Sequence, residues 1–313
     1  MSDSTESDDV EGEQKMPRSG QMLSKALGRA RRSPLYLLCR AAYRRVRKVP
    51  RHPLQDFKPL PGFDLVRLGS DYGGWTFVHH GELFGSTIIS AGLGEDASFD
   101  VEFARTYGAR VIIVDPTPRA VKHFNEISSR LGSSNMCGYS GGGAQSVEAY
   151  DLRGIDQSNL TLVPQALWKT ATTLKFFEPI NEKHVSHTLV NFRRDYRDAG
   201  NYMVVESITM SDLLRDNGFR DGDSFQLVKL DIEGAEVEVI SHFLDEGIRP
   251  KQILVEFDEL NAPSSESFTR IDLINTKLNN FGYQCIWTDN QVDFLYISDE
   301  FRSQLQLSAR NRA

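Results

Sequence analysis

The chain has 313 residues, 40% of them hydrophobic and 10% aromatic, enough for one large globular domain with an appendage. Its net charge of −7 is unevenly spread: residues 1–13 carry six acids and no base, residues 14–55 carry twelve Lys or Arg and no acid, and the remainder holds 24 bases against 37 acids. So acidic a body disfavours nucleic acid as a partner, and three scattered cysteines without a Cys-x-x-Cys pair, Cys39, Cys137 and Cys285, disfavour a disulfide scaffold or zinc site and fit a reducing, cytoplasmic setting.

The acidic, serine-rich start "MSDSTESDDVEGEQ" cannot bury enough apolar surface to offset chain entropy. Residues 1–20 are therefore expected to be a disordered tail, with no pattern of a signal peptide. Residues 21–53 read as a basic helical segment and linker, with a break at Pro34. Leu35, Leu38, Cys39, Ala42 and Val46 form one stripe; Arg40, Arg44, Arg47 and Arg51 form another. Such a helix over residues 35–51 can lie on an anionic membrane surface, giving peripheral contact, or can dock on the protein's own acidic body. The proline-rich "VPRHPLQDFKPLPG" reads as a linker, and residues 54–313 as the main domain. The longest apolar runs, "PLYLLC" and "VIIV", are far short of the roughly 20 residues of a spanning helix.

Beyond Pro61 the pattern alternates as in an α/β domain. "STIISAG" predicts a strand and "SFDVEFARTYG" a helix ending at Gly108. "RVIIVD" and "PRAVKHFNEISSRL" predict the next strand and helix. "SSNMCGYSGGGAQS", residues 133–146, reads as a surface insertion. "LTLVPQALW" predicts a third core strand, "TTLKFFEP" an extra one, and "MSDLLRDNG" a short helix with Ser211 as N-cap. "SFQLVKLDIEG" and "AEVEVISHFLDEG" form the fourth strand and its helix. "QILVEFDEL", "RIDLINTKLNNFG", "YQCIWT" and "VDFLYI" give a strand, a helix and a closing pair of strands.

The turn after the first of these strands carries Gly92-x-Gly94-x-x-Ala97, and Asp115 follows about 20 residues later, a loose match to a dinucleotide fingerprint. Glu95 and Asp96 oppose that reading, because a pyrophosphate on the helix N-terminus would face two carboxylates. S-adenosylmethionine carries a sulfonium and an ammonium and no phosphate. Gly92 and Gly94 would let the backbone approach its methionine part, Glu95 or Asp96 would meet its ammonium, and Asp115 would accept from both ribose hydroxyls. Glu95 and Asp96 can alternatively cap the following helix.

"GLGEDASFD", "VDPTPRA", "HVSH" and above all "VKLDIEGAEVEVI" resemble the FkbM family of S-adenosylmethionine-dependent methyltransferases. The strand-4 signature Lys-x-Asp-x-Glu-Gly-x-Glu falls on Lys229, Asp231, Glu233, Gly234 and Glu236, and "ILVEFDEL" and "QVDFLYI" also fit. The resemblance covers roughly residues 80–300. It implies a Rossmann-like, seven-stranded, doubly wound sheet of the class I methyltransferase type, and O-methylation of a hydroxyl on a sugar, glycolipid or secondary metabolite. The insertion at 133–146 and the basic N-terminal segment lie outside the family pattern.

Methyl transfer to an alcohol needs the acceptor oxygen oriented and its proton taken. Ligands of doubly wound sheets bind beyond the carboxyl ends of the strands. Asp231 is placed there, as a cofactor or acceptor contact, and Asp231 or Glu233 is expected to serve as general base. Lys229 shares a face with Asp231 and reads as a buried counter-charge to Asp231 or Glu256. Glu236 reads as a cap of the following helix. His187 is a further candidate base. Gln165 and Ala166, after the third strand, fall where an adenine edge would lie. Asp231, Glu256 and Asp258 offer oxygen ligands for magnesium, but their spacing matches no metal motif and no metal is expected. Two rival readings stay open: a nicotinamide-dependent oxidoreductase, and a catalytically silent Rossmann module.

Overall fold

The structure, a computed structural model, describes residues 50–177, 202–220 and 225–310. The acidic tail, the basic helix up to residue 49 and His187 lie outside the described residues.

A short antiparallel hairpin, β1 (Leu65–Leu68) and β2 (Trp75–Val78), precedes the main sheet. Then follow β3 (Thr87–Ala91), α1 (Ser98–Tyr107), β4 (Arg110–Val114), α2 (Pro118–Ser128) and β5 (Leu160–Val163). Next come β6 (Ala166–Leu167), β7 (Thr173–Phe177), β8 (Tyr202–Ile208) and α3 (Met210–Asp216). The chain continues through β9 (Leu227–Leu230), α4 (Glu236–Asp245), β10 (Gln252–Glu256), α5 (Ser265–Asn280), β11 (Tyr283–Thr288), β12 (Asp293–Ser298) and α6 (Asp299–Arg310). Seven strands form one sheet in the order β11-β12-β10-β9-β3-β4-β5. All its pairings are parallel except those of β12, which runs antiparallel to β10 and β11.

Parallel strands are covered on both faces, so they read as continuous apolar runs. Alternation then sorts each run. Ile89, Val228, Leu230, Ile253 and Val255 pack under α3, α4 and α5. Ile88, Val111, Ile113, Leu227 and Leu254 pack under α1, α2 and the hairpin. The sheet is therefore doubly wound, as the sequence implies. Its strand order reverses between β3 and β9, where a ligand crevice opens in such folds.

Several local expectations need correction. The stretch at 160–168 is not one strand: Pro164 lacks an N–H and interrupts the ladder, so β5 ends at Val163 and β6 joins β8 and β7 in a separate sheet. The short helix α3 is capped by Thr209, whose side chain accepts from Asp212 N, and Ser211 lies inside it. Asp258 sits in a helical turn after β10, so it does not share a strand face with Glu256.

The expected linker is docked. His52 and Gln55 are buried. The His52 ring contacts Asp272 of α5 at 3.0 Å. Gln55 donates to Gln291 O at 2.6 Å, and Asn290, with φ at 62°, returns bonds from its amide to Gln55 O and Phe57 O. Arg51, read as part of the arginine stripe, donates to Asn290 O and pairs with Asp56. Residues 51–57 thus strap the β11–β12 turn at the carboxyl edge of the sheet. A chain starting at Lys58 should be less stable than one starting at Pro50 by about 2–4 kcal/mol, from lost packing and hydrogen bonds. At roughly 2–4 °C per kcal/mol for a domain of this size, calorimetry should show a clearly lower Tm. Equal melting of the two would contradict the docking.

Candidate active site

Three turns meet where the strand order reverses. The first follows β3. Gly92 N–H donates to Val114 O at 3.0 Å and Asp231 N–H donates to Ala91 O at 3.1 Å. The Gly92 backbone, at φ 88°, lies so close to β9 that a Cβ there would stand 1.8 Å from the Asp231 carbonyl oxygen. The glycine is therefore required by close approach and by backbone conformation together. The turns after β3 and β9 interlock through their main chains.

Asp115, at the end of β4, holds the glycine turn. Its Oδ2 accepts from Leu93 N and Gly94 N, each at 2.9 Å, while Oδ1 accepts from Thr117 N and Thr117 Oγ1 at 2.8 and 2.7 Å. Four bonds match the capacity of a carboxylate. Asp115 lies beside the turn as the sequence places it, but its oxygens brace the protein, and a ribose hydroxyl would have to take the place of one of these donors.

Neither Glu95 nor Asp96 is the N-cap of α1, which is Ala97 without a side-chain bond. Asp96, one residue earlier, still serves the helix start: Oδ1 accepts from Ser98 N at 2.9 Å, and Oδ2 accepts from Ser70 Oγ at 2.6 Å and Gln145 Nε2 at 3.1 Å. Its oxygens tie together α1, the β1–β2 turn and the 133–146 insertion. That insertion, expected as a plain surface loop, pairs Ala144 with Glu95, and its Gln145 N–H donates to Glu95 O at 2.9 Å. Glu95 keeps a partly exposed side chain, 3.9 Å from Arg119. Ala166 lies in β6 opposite Ser207, packed with Phe176 and Val205. It serves the core of the second sheet, whereas Gln165, in the preceding turn, stays half-buried.

The second turn, residues 231–234, follows β9. Asp231 accepts no side-chain hydrogen bond among the described residues, so its carboxylate is available. Burial pushes its pKa up, the Lys229 charge works against that, and Asp258 and Asp115 add to the rise. Lys229 is 4% exposed. Its ammonium donates to Gly92 O and, at 3.4 Å, to Ala91 O, and lies 5.6 Å from the Trp75 ring centroid. Its charge also acts on Asp100 of α1, whose carboxyl is pushed up to about 6 by burial and drawn back by Lys229. Lys229 is thus a brace under the glycine turn; its charge is felt at Asp231, but its ammonium bonds backbone carbonyls and makes no ion pair with Asp231 or Glu256 among the described residues.

Register extends the acidic edge. Leu230 pairs with Val255, and Glu256 pairs with Asp293. Asp231, Glu256 and Asp293 therefore form a row across β9, β10 and β12. Like charges directly opposite each other in a sheet are unfavourable. Burial, followed by the charges of Asp231, Asp293, Glu233 and Asp258, drives the Glu256 pKa well above the ordinary carboxylate range. Asn261 Nδ2 supports the row with donations to Glu256 at 3.3 Å and Asp258 at 3.0 Å. Among the described residues no group of three or more acids, histidines or cysteines converges as a metal site, so Asp231, Glu256 and Asp258 do not form the magnesium set considered above. Asp293 and Gln145 were not singled out from sequence. The first becomes visible only through strand register, and nothing local marks the second.

Among the described residues no helix is long and apolar enough to cross a membrane. Comparison with known proteins adds the following. No curated protein matches the chain. Similar solved structures include ribosomal protein L11 methylase from Lactobacillus delbrueckii subsp. bulgaricus, at 12% identity and a TM-score of 0.31, covering 68% of this chain and 69% of that one. Another is Precorrin-6y C5,15-methyltransferase from Geobacter metallireducens GS-15, at 12% identity and a TM-score of 0.33, covering 68% and 80%. The family model described as "Methyltransferase FkbM domain" matches residues 81–285, well over half of the chain and spanning both interlocked turns. The protein belongs to this family of methyltransferases.

Proposed function

We propose that the protein is an S-adenosylmethionine-dependent methyltransferase acting on a hydroxyl of a small-molecule or glycan acceptor. The observation that carries the cofactor assignment is the state of the glycine turn. In a dinucleotide site its backbone N–H groups would serve a phosphate. Here Leu93 N–H and Gly94 N–H are already taken by the Asp115 carboxylate. An anion already fills the anion-binding side of the turn, and Glu95 and Asp231 stand nearby. This donor set suits a cation and repels a pyrophosphate, which also speaks against the nicotinamide reading.

When bound, S-adenosylmethionine supplies an electrophilic methyl group on a sulfonium. The protein's part is positional and acid–base. Gly92 and Gly94 give the backbone room at the turn, and Asp115 and Lys229 fix its peptide groups. Asp231, raised in pKa and without a hydrogen-bond donor of its own, accepts the proton of the acceptor hydroxyl as the new bond to carbon forms. Glu233 stands two residues further along the same turn as the second candidate for that proton.

Calorimetry with S-adenosylhomocysteine and with NAD tests the assignment. S-adenosylhomocysteine should bind and NAD should not. Asp115→Ala should weaken that binding by about 1.5–3 kcal/mol, the worth of hydrogen bonds to a charged acceptor. Binding of NAD alone would overturn the reading. A folded Asp115→Ala protein with unchanged affinity would remove Asp115 from the cofactor site.

A further inference from the structure

Glu236 is completely buried, at 0% exposure, and neither of its oxygens faces the crevice. Its Oε1 accepts from Ile232 N at 2.7 Å and its Oε2 accepts from Gly234 N at 2.9 Å. The side chain at the first position of α4 therefore reaches back and grips both ends of the preceding turn. Between those two N–H groups lies Glu233, at φ 56°, in the left-handed region that a side chain with a Cβ avoids. Such a conformation costs on the order of 1–3 kcal/mol and persists only where the surroundings hold it. Burial and the nearby Glu259 push the Glu236 pKa well above the ordinary carboxylate range, so the hold comes from geometry: one short side chain accepts from the N–H groups at both ends of the turn, and leaving either of these buried donors unmet would be costly.

The other side of the turn is held as well. Asp231 N–H is bound to Ala91 O, and its carbonyl rests against Gly92. The only part of this segment left to choose its direction is the stretch from the Asp231 Cα to Gly234, and Glu236 fixes that stretch. Behind it, Arg270 of α5 forms a two-pronged pair with Glu238, at 2.7 and 2.8 Å, and reaches Glu259 at 3.1 Å. Glu259 is also 0% exposed. The clamp is thus seated on a rigid helical base.

We propose that Glu236 is a positioning residue for methyl transfer: by gripping the N–H groups of Ile232 and Gly234, it aims the Asp231 carboxylate at the acceptor hydroxyl. The inference rests on the reading of Asp231 as proton acceptor given above. The expectation that Glu236 caps α4 does not hold: the N-cap is Ala235, without a side-chain bond, and the N–H groups that Glu236 satisfies belong to the turn that carries the base.

The test is a double-mutant cycle. Glu236→Gln keeps the volume of the side chain but offers one acceptor oxygen, and sets an NH2 group against the other N–H. Label transfer from isotopically labelled S-adenosylmethionine to a pooled extract of neutral glycans and small hydroxyl compounds is measured for the wild type, Glu236→Gln, Asp231→Asn and the double variant. Melting temperature and S-adenosylhomocysteine affinity are measured alongside. Glu236→Gln should lower transfer at least about tenfold, the lower part of what a well-placed base is worth, and leave the inhibitor Kd within about threefold. In the Asp231→Asn background the same change should cost less than about twofold, because the two residues act as a unit. An equal loss in both backgrounds, or no loss in either, overturns the proposal and leaves the Asp231 reading intact. Wild-type transfer by Asp231→Asn, or no transfer by the wild type, removes that reading and the proposal with it. Should Glu236→Gln fail to fold, Glu236→Asp, which keeps the carboxyl group one methylene short, must show the same dependence on Asp231.

Discussion

Gly92→Ala should abolish binding of S-adenosylhomocysteine and lower the melting temperature. The new Cβ would lie 1.8 Å from the Asp231 carbonyl oxygen, a backbone atom, at a φ of 88°. Neither side can retreat. Asp231 is tied by its N–H to Ala91 O, and Gly92 by its N–H to Val114 O. The left-handed backbone costs about 1–2 kcal/mol for a residue with a Cβ, and forcing the two turns apart adds about 1–3 kcal/mol in the manner of overpacking. The displaced turn would lose the Leu93 and Gly94 bonds to Asp115, so affinity should fall by more than about 100-fold, by the worth of two bonds to a charged acceptor. Gly94→Ala is the control. It shares the left-handed conformation, at φ 56°, but no protein atom lies within 4 Å of the place its methyl group would take, so in thermal melting only the conformational cost of about 1 kcal/mol should appear. The melting temperatures of the two variants decide the matter, and equal losses would show that the two turns do not touch.

Asp231→Asn should leave the fold and the inhibitor affinity nearly unchanged while transfer falls about 10²–10⁴-fold, the usual worth of a positioned base. The Asp231 carboxylate receives no hydrogen bond that the amide would lose. Its pKa is raised in the folded protein, chiefly by burial. An acid with a raised folded pKa weakens the fold once it ionises, and that penalty disappears as pH falls below its ordinary range. The Asn variant should therefore melt no lower than the wild type at neutral pH, and the two should converge in acid. If Asp231 served mainly as the partner of Lys229, the same change would instead lower stability by a few kcal/mol, as a buried charge lost its partner. A variant of undiminished stability and full transfer would move the search to Glu233.

The core was legible because parallel strands buried on both faces leave unbroken apolar runs, as in "RVIIVD" and "SFQLVKLDIEG". The Asp231 position followed from the end of such a run. Shorter or more polar elements left weaker marks. The hairpin strands β1 and β2 have four residues each, too few for a period to show. In β8 the short apolar start Tyr202–Val205 is followed by Glu206 and Ser207, and Tyr202 and Val204 are exposed, so the run is not that of a strand buried on both faces. The polar sequence "DEFRSQLQLSAR" of α6 follows directly on β12. The strap at 51–57 was hidden for a different reason. His52 and Gln55 are ordinary polar residues among prolines, and their burial depends on Asp272, Asn290 and Gln291, more than 200 positions away. The site shows the same division. Residue types and order pointed to Asp115 and Asp231, while the bracing role of Asp115, the row through Asp293 and the grip of Glu236 are properties of register and of long-range contact.

Because the turns after β3 and β9 touch through main-chain atoms, the spacing between the glycine turn and Asp231 is set by a ruler made of peptide units. Exchanging side chains around the crevice can change polarity and shape but cannot lengthen or shorten that ruler. A lineage adapting to a new acceptor is therefore left to work outside the seven-stranded sheet. The material at hand there is the small sheet of β6, β8 and β7, and the 133–146 insertion anchored through Gln145. These parts can be remodelled or exchanged while the separation between the glycine turn and Asp231 stays fixed.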